Sequence, residues 1–124
     1  MARILVVDDF KDGRDVMGML LRHAGHVTFL AASGEDALRV LQSQSLDLVL
    51  LDVSMPRMNG FEVLTALREQ SIAHPPILMM TAHKDEVMRA RAVSLGASGF
   101  LIKGDVDVED VLAQVNMHLP AAQS

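Results

Sequence analysis

Five short apolar runs punctuate the chain, at Arg3 to Val7, Val27 to Leu30, Leu46 to Leu51, Ile77 to Met80 and Phe100 to Ile102. Continuous apolar runs bounded by chain breakers read as buried strands. After each one, apolar residues recur every three or four positions, the spacing of a helix face. Val16, Met17, Leu20, Leu21 and Ala24 mark the first helix, which follows a turn around Lys11 to Gly13 and stops at Gly25. Ser33 is placed to cap a second helix, with Glu35 and Asp36 in its first turn and Ala37, Leu38 and Leu41 on its buried face. Met58-Asn59-Gly60 turns the chain into a third helix carrying Phe61, Leu64 and Leu67. A fourth helix spans Lys84 to Leu95, with a weaker stripe and a basic flank of Lys84, Arg89 and Arg91, and Gly96 ends it. Val108, Val111, Leu112, Val115 and Leu119 mark the last helix, closed by Pro120.

Strand alternating with helix through short loops selects a doubly wound α/β fold: one parallel sheet of five strands with helices on both faces. Neither repeats nor a linker interrupt the pattern, so residues 1–119 read as one domain and 120–124 as a short tail. In a parallel sheet all C-terminal strand ends lie along one edge, where α/β folds place their sites. Here those ends carry Asp8-Asp9, Asp52, Thr81 and Lys103, with the second strand as the exception. Clustered carboxylates repel one another unless a hard cation sits among them, and oxygen ligands suit Mg²⁺ or the similar Mn²⁺. Lys103 supplies a point charge for a phosphoryl oxygen, and Thr81 a hydrogen-bond donor. Neither imidazole nor thiol belongs to the set, which leaves Asp52 as the candidate nucleophile toward phosphorus.

Composition narrows the picture by exclusion. Among 124 residues there is no Cys, which rules out a disulfide framework and thiolate zinc sites and fits a reducing compartment. The net charge of −5 argues against direct nucleic-acid binding. No apolar run approaches membrane-spanning length and no signal peptide precedes the first strand, so a soluble cytoplasmic domain is expected. Of the five histidines, His23, His26, His74 and His118 are scattered and suggest no metal site.

The sequence resembles a response-regulator receiver domain of two-component signalling over residues 3 to 119. The resemblance rests on Asp8-Asp9-Phe10, on Asp52 followed by Met55-Pro56 and Met58-Asn59-Gly60, on Thr81-Ala82, on Gly96-Ala97, and on Phe100 three residues before Lys103. It implies the flavodoxin-like (βα)5 strand order 2-1-3-4-5. It further implies that Asp52 accepts a phosphoryl group from a phosphohistidine of a histidine kinase or histidine phosphotransfer protein. Asp9, Asp52 and the backbone carbonyl of Ser54 would ligate Mg²⁺ directly, and Asp8 through water. Lys103 would pair with the phosphoryl group, Thr81 would turn toward it and Phe100 would swing inward, altering the face of helix four, strand five and helix five. Such a domain catalyses its own phosphotransfer and slow autodephosphorylation and is otherwise no enzyme. Ser54, two after Asp52, and His83, two after Thr81, are expected to tune the lifetime of the phosphoryl group. Met19 projects from helix one, the face that family members present to their kinase.

Two features depart from the family. Gly104 stands where the family has proline after the lysine, usually with a cis bond; a cis bond without proline costs about 2.5–4 kcal/mol, so a trans bond or a remodelled loop is expected. Helix five carries Asp107, Glu109 and Asp110 without a Lys or Arg, so a weak homodimer would pair it with the basic helix four of a second copy. An aspartyl-phosphate phosphatase of the haloacid-dehalogenase class would want an acid two residues after Asp52, where Ser54 stands. A degenerate receiver acting only as a binding module would lack Asp52, Asp9 or Lys103, and a dinucleotide-binding domain would show a glycine-rich turn after strand one. Met1 just ahead of the first strand reads as a native start, and the short tail fits either a free-standing protein or part of a longer regulator. The downstream target is not legible.

Overall fold

The computed structural model describes residues 1–82, 85–103 and 107–119. Its strands are β1 (Arg3–Val7), β2 (Val27–Ala31), β3 (Leu48–Asp52), β4 (Ile77–Thr81) and β5 (Gly99–Ile102). The helices between and after them are α1 (Lys11–His23), α2 (Gly34–Ser43), α3 (Gly60–Glu69), α4 (Glu86–Ser94) and α5 (Val108–His118). All the strand pairs are parallel, in the order β2-β1-β3-β4-β5 implied by the resemblance.

Period-two alternation divides the strands between two cores. Leu5, Val7, Val49, Leu51, Ile77 and Met79 face Ala37 and Leu41 of α2, Phe61, Leu64 and Leu67 of α3, and Ala92 of α4. Ile4, Val6, Leu48, Leu50, Leu78, Met80 and Leu101 face Leu21 of α1 and Val111 and Val115 of α5. β3 and β4 are buried along their whole length, which is why they read as unbroken apolar runs.

Local chemistry sets the boundaries and explains several of the places where they differ from the sequence reading. The expected turn at Lys11 to Gly13 is the first turn of α1, because the Asp8 carboxylate accepts the Phe10 N–H at 3.0 Å and turns the chain straight into the helix. β3 starts at Leu48 rather than Leu46, since the Asp47 carboxylate is occupied by the Arg3 N–H at 2.8 Å; the strand then runs on to include Asp52. α4 starts at Glu86 rather than Lys84, capped by Asp85, which accepts from the Val87 and Met88 N–H groups at 2.9 and 3.3 Å. The Met58-Asn59-Gly60 turn contains a full capping box: Asn59 accepts from the Glu62 N–H while Glu62 accepts from the Asn59 N–H. Gly60 is required there by space, because a Cβ would lie 2.6 Å from the carbonyl oxygen of Asp52. Gly25 and Gly96 follow α1 and α4 with φ of +96° and +108°, the left-handed geometry that ends helices. His83, Lys84, Gly104 and Pro120 to Ser124 lie outside the described residues, and with them the expectations placed on His83, Gly104 and the tail.

Candidate functional site

Strand parity assembles the site. Asp8, Asp52 and Lys103 continue the alternation of Ile4 and Val6, of Leu48 and Leu50, and of Leu101, so all three emerge on the α1/α5 side of the C-terminal sheet edge. Asp8 and Asp52 are buried, 2% and 5% exposed, at the ends of central neighbouring strands. Lys103 follows the edge strand, and its Nζ donates to Asp8 Oδ2 at 3.0 Å and to Asp52 Oδ2 at 3.4 Å. Asp9, the next residue along the turn, is exposed. Asp8, Asp9 and Asp52 each offer a carboxylate oxygen, and these oxygens lie within 4.8 Å of one another. Such a hard, anionic oxygen set could hold a small divalent cation.

The electrostatics follow from burial. Loss of solvent, then the hydrogen bond to Asp8, push the Asp52 carboxyl up to about 6; Asp8's charge adds to this, while Lys103 and the Ser54 N–H oppose it. That N–H donates to Asp52 Oδ1 at 3.2 Å, so the backbone after β3 helps hold the carboxylate still. Burial works against the charge on Lys103, yet hydrogen bonding and attraction to Asp8 and Asp52 outweigh it and raise its pKa above the ordinary lysine value. At neutral pH the site therefore holds a charged ammonium among carboxylates and a largely ionised Asp52 with one oxygen toward each neighbour.

Thr81 and Phe100 stand on the other side of the sheet. Thr81 shares the parity of Ile77 and Met79, is buried, and directs its hydroxyl toward Met88 Sδ of α4 at 3.7 Å. Its backbone belongs to the same edge as the acids, since its carbonyl accepts the Lys103 N–H at 2.7 Å. Phe100 pairs with Met79 in the β4–β5 register and is half-buried against the core under α2, α3 and α4, with the Arg89 guanidinium 6.0 Å from its ring centroid. The Ser54 side chain is exposed beside Asp52, and Met19 projects from α1 with 62% exposure. The four dispersed histidines stay apart from the acids: His26, for one, accepts the Ala2 N–H at 3.2 Å at the opposite end of the sheet.

Sequence reasoning overlooked three participants. Arg14 reaches back from α1 to the carbonyl oxygen of Asp8 at 2.9 Å, a contact between side chain and backbone that no residue pattern announces. Met88 carries no signal of its own in the weak apolar stripe of α4, yet its sulfur receives the Thr81 hydroxyl. Arg91 belongs to the basic flank of α4, but its guanidinium lies 4.4 Å over the ring of Phe61.

Residues 4–116 match the family model described as the response regulator receiver domain. The chain is 40% identical over 103 residues to the transcriptional regulatory protein CpxR of Escherichia coli (strain K12), covering 83% of this chain and 43% of that protein. It is 34% identical over 113 residues to a gliding motility regulatory protein of Myxococcus xanthus, covering 90% and 14% respectively. Among solved structures, the Vibrio cholerae chemotaxis protein CheY4 is similar with a TM-score of 0.89 and 35% identity, over 96% of this chain and 99% of that one. The chain spans less than half the length of the curated relatives it matches.

Proposed function

Because the chain belongs to the response regulator receiver domain family, a regulatory rather than an enzymatic one, we propose that residues 1–119 work as a phosphorylation-controlled switch with Asp52 as the phosphoacceptor. The observation that carries this reading is the buried Asp52 carboxylate, bracketed by the Lys103 ammonium and the Asp8-Asp9 pair at the C-terminal sheet edge. The phosphodonor is the phosphohistidine of a histidine kinase or histidine phosphotransfer protein in the cytoplasm. An oxygen of Asp52 forms the new bond to phosphorus as the nitrogen–phosphorus bond breaks, and the imidazole leaves with a proton. Asp9, Asp52 and the Ser54 carbonyl would hold Mg²⁺ directly, and Asp8 through water, the three carboxylates being the group that lies close enough together to share an ion. When bound, Mg²⁺ supplies positive charge against the oxygens of the transferring phosphoryl group.

The chain's own residues do the rest. The Ser54 N–H holds Asp52 in position, and Lys103 exchanges its carboxylate contacts for a phosphoryl oxygen. Water later attacks phosphorus, the bond to the Asp52 oxygen breaks, and inorganic phosphate leaves with the carboxylate restored. Ser54, exposed beside Asp52, and His83, two positions after Thr81 in the sequence, tune the rate of that step.

Signal output begins at Thr81. Its hydroxyl can serve Met88 or a phosphoryl oxygen but not both, so phosphorylation draws it away from α4. A charge-assisted hydrogen bond contributes roughly 1.5–3 kcal/mol, enough with the Lys103 contact to bias a two-state element separated by a few kcal/mol. α4 is suited to respond, since Ala92 is its one fully buried residue. Phe100 then moves inward and the α4/β5/α5 face changes. On the other side, Phe10, Val16, Met17, Leu20 and Val108 line an apolar hollow of about 440 Å³ beside Lys103, which suits a helical phosphodonor. Intact mass measurement after incubation with acetyl phosphate and Mg²⁺ tests the reading. One phosphoryl adduct requiring both Mg²⁺ and Asp52 is expected; no adduct on the wild type would overturn it.

A further inference from the structure

Asp8 is fixed at nearly every polar atom. Its N–H donates to the Ala31 carbonyl at 3.1 Å, its Oδ1 accepts from the Phe10 N–H at 3.0 Å, and its Oδ2 accepts from Lys103 at 3.0 Å. The remaining group is the backbone carbonyl, and Arg14 Nη1 donates to it at 2.9 Å. That carbonyl belongs to the peptide plane that carries the nitrogen and Cα of Asp9, so holding the oxygen holds the start of Asp9 as well. Asp9 itself is exposed, and its carboxylate must meet those of Asp8 and Asp52 within 4.8 Å.

The approach of α1 makes this contact possible. A Cβ at Gly13 would lie 3.2 Å from Asp8 Oδ2 and 3.3 Å from the Phe10 ring. With glycine there, the first helical turn lies close against the acid turn, and the next residue can send its guanidinium back over it. Arg14 is anchored in that turn, its own N–H donating to the Phe10 carbonyl at 3.0 Å. The turn from Asp8 to Phe10 is therefore clamped by one short loop of helix.

We propose that Arg14 is a positioning residue for the cation site: through the Asp8 carbonyl it sets the peptide that aims Asp9 at the ion held with Asp52. The inference rests on the proposed Mg²⁺ reading of the acid cluster. Mg²⁺ demands near-ideal octahedral geometry, so a small rotation of that peptide moves a ligand out of place. Loss of a partner that orients metal ligands typically weakens metal binding about 10- to 100-fold. Charge alone predicts the reverse, because deleting a nearby positive side chain should favour binding of a cation. The sign of the effect thus separates positioning from simple electrostatics.

The experiment titrates Mn²⁺ into the full chain, following the loss of the free-ion electron paramagnetic resonance signal, for the wild type, Arg14→Met, Arg14→Ala and Arg14→Lys. Urea unfolding of each metal-free protein runs alongside. Arg14→Met keeps the packing of the stem and removes the donor, so it reports even where the alanine variant does not fold. The expected result is a Kd for Mn²⁺ raised about 10-fold or more in Arg14→Met and largely restored in Arg14→Lys. A purely structural role would lower stability while leaving the Kd of the folded protein unchanged, and equal or tighter binding in Arg14→Met would overturn the inference. Absence of Mn²⁺ binding in the wild type would instead overturn the cation-site reading, and this inference with it.

Discussion

Replacing Asp52 by Asn should stabilise the metal-free protein at neutral pH, and by an amount that depends on pH in a defined way. The folded chain holds the Asp52 carboxyl near 6 against 3.8 for an unperturbed aspartate, chiefly by burial and by its contact with Asp8. A raised carboxyl pKa means the folded state binds its proton more tightly than the unfolded state. Stability is therefore lost as pH rises from the unfolded value toward the folded one, and the full cost is present above it. A gap of about two pKa units corresponds to about 3 kcal/mol. Across the accessible window from pH 4.5 to 7.5, the advantage of Asp52→Asn over the wild type should grow by about 2 kcal/mol. Urea unfolding of both proteins in chelator, at several pH values, measures this directly, because groups common to both proteins largely cancel in the difference. Saturating Mg²⁺ should abolish the growth, since it favours ionised Asp52. An advantage that stays constant across the window would refute the account of the acid cluster as a strained, cation-ready site.

Three further outcomes follow from named contacts. Gly60→Ala should destabilise the fold by about 2 kcal/mol, because the new Cβ meets the Asp52 carbonyl oxygen at 2.6 Å, and it should slow phosphorylation by displacing the end of β3; thermal unfolding and adduct formation report the two effects. Asn59→Ala removes one half of the α3 capping box and should cost about 1 kcal/mol by urea unfolding, with phosphorylation retained. Lys103→Met leaves the buried Asp8 without its ammonium partner and should cost about 2 kcal/mol at pH 7, a loss that Mg²⁺ partly restores; a variant as stable as the wild type without metal would contradict the pairing.

The centre of the sheet was legible because β3 and β4 are buried on both faces. Leu48 to Leu51 and Ile77 to Met80 have no polar side to confuse the reading, and the residues that end them are conspicuous by contrast. Strand order was not legible from periodicity, which says nothing about neighbours; it came with the resemblance. Boundaries slipped where a side chain ties up the backbone, as Asp47 does at Arg3 and Asp85 does at α4. The meeting of Asp8, Asp52 and Lys103 could be anticipated because strand ends share an edge. Arg14 escaped because its contact is to a carbonyl oxygen, which every residue possesses. The division of Thr81 from the acids by strand parity also escaped, although counting alternate positions from Ile77 would have revealed it.

The most direct test of the central claim is to identify the residue that carries the phosphoryl group. After phosphorylation with acetyl phosphate and Mg²⁺, borohydride reduces an acyl phosphate to the alcohol, so a modified aspartate becomes homoserine. Peptide mass mapping should then find homoserine at position 52 and intact aspartate at Asp8 and Asp9. Homoserine at position 8 or 9, or a phosphorylated protein with position 52 unreduced, would contradict the assignment of Asp52 as the phosphoacceptor.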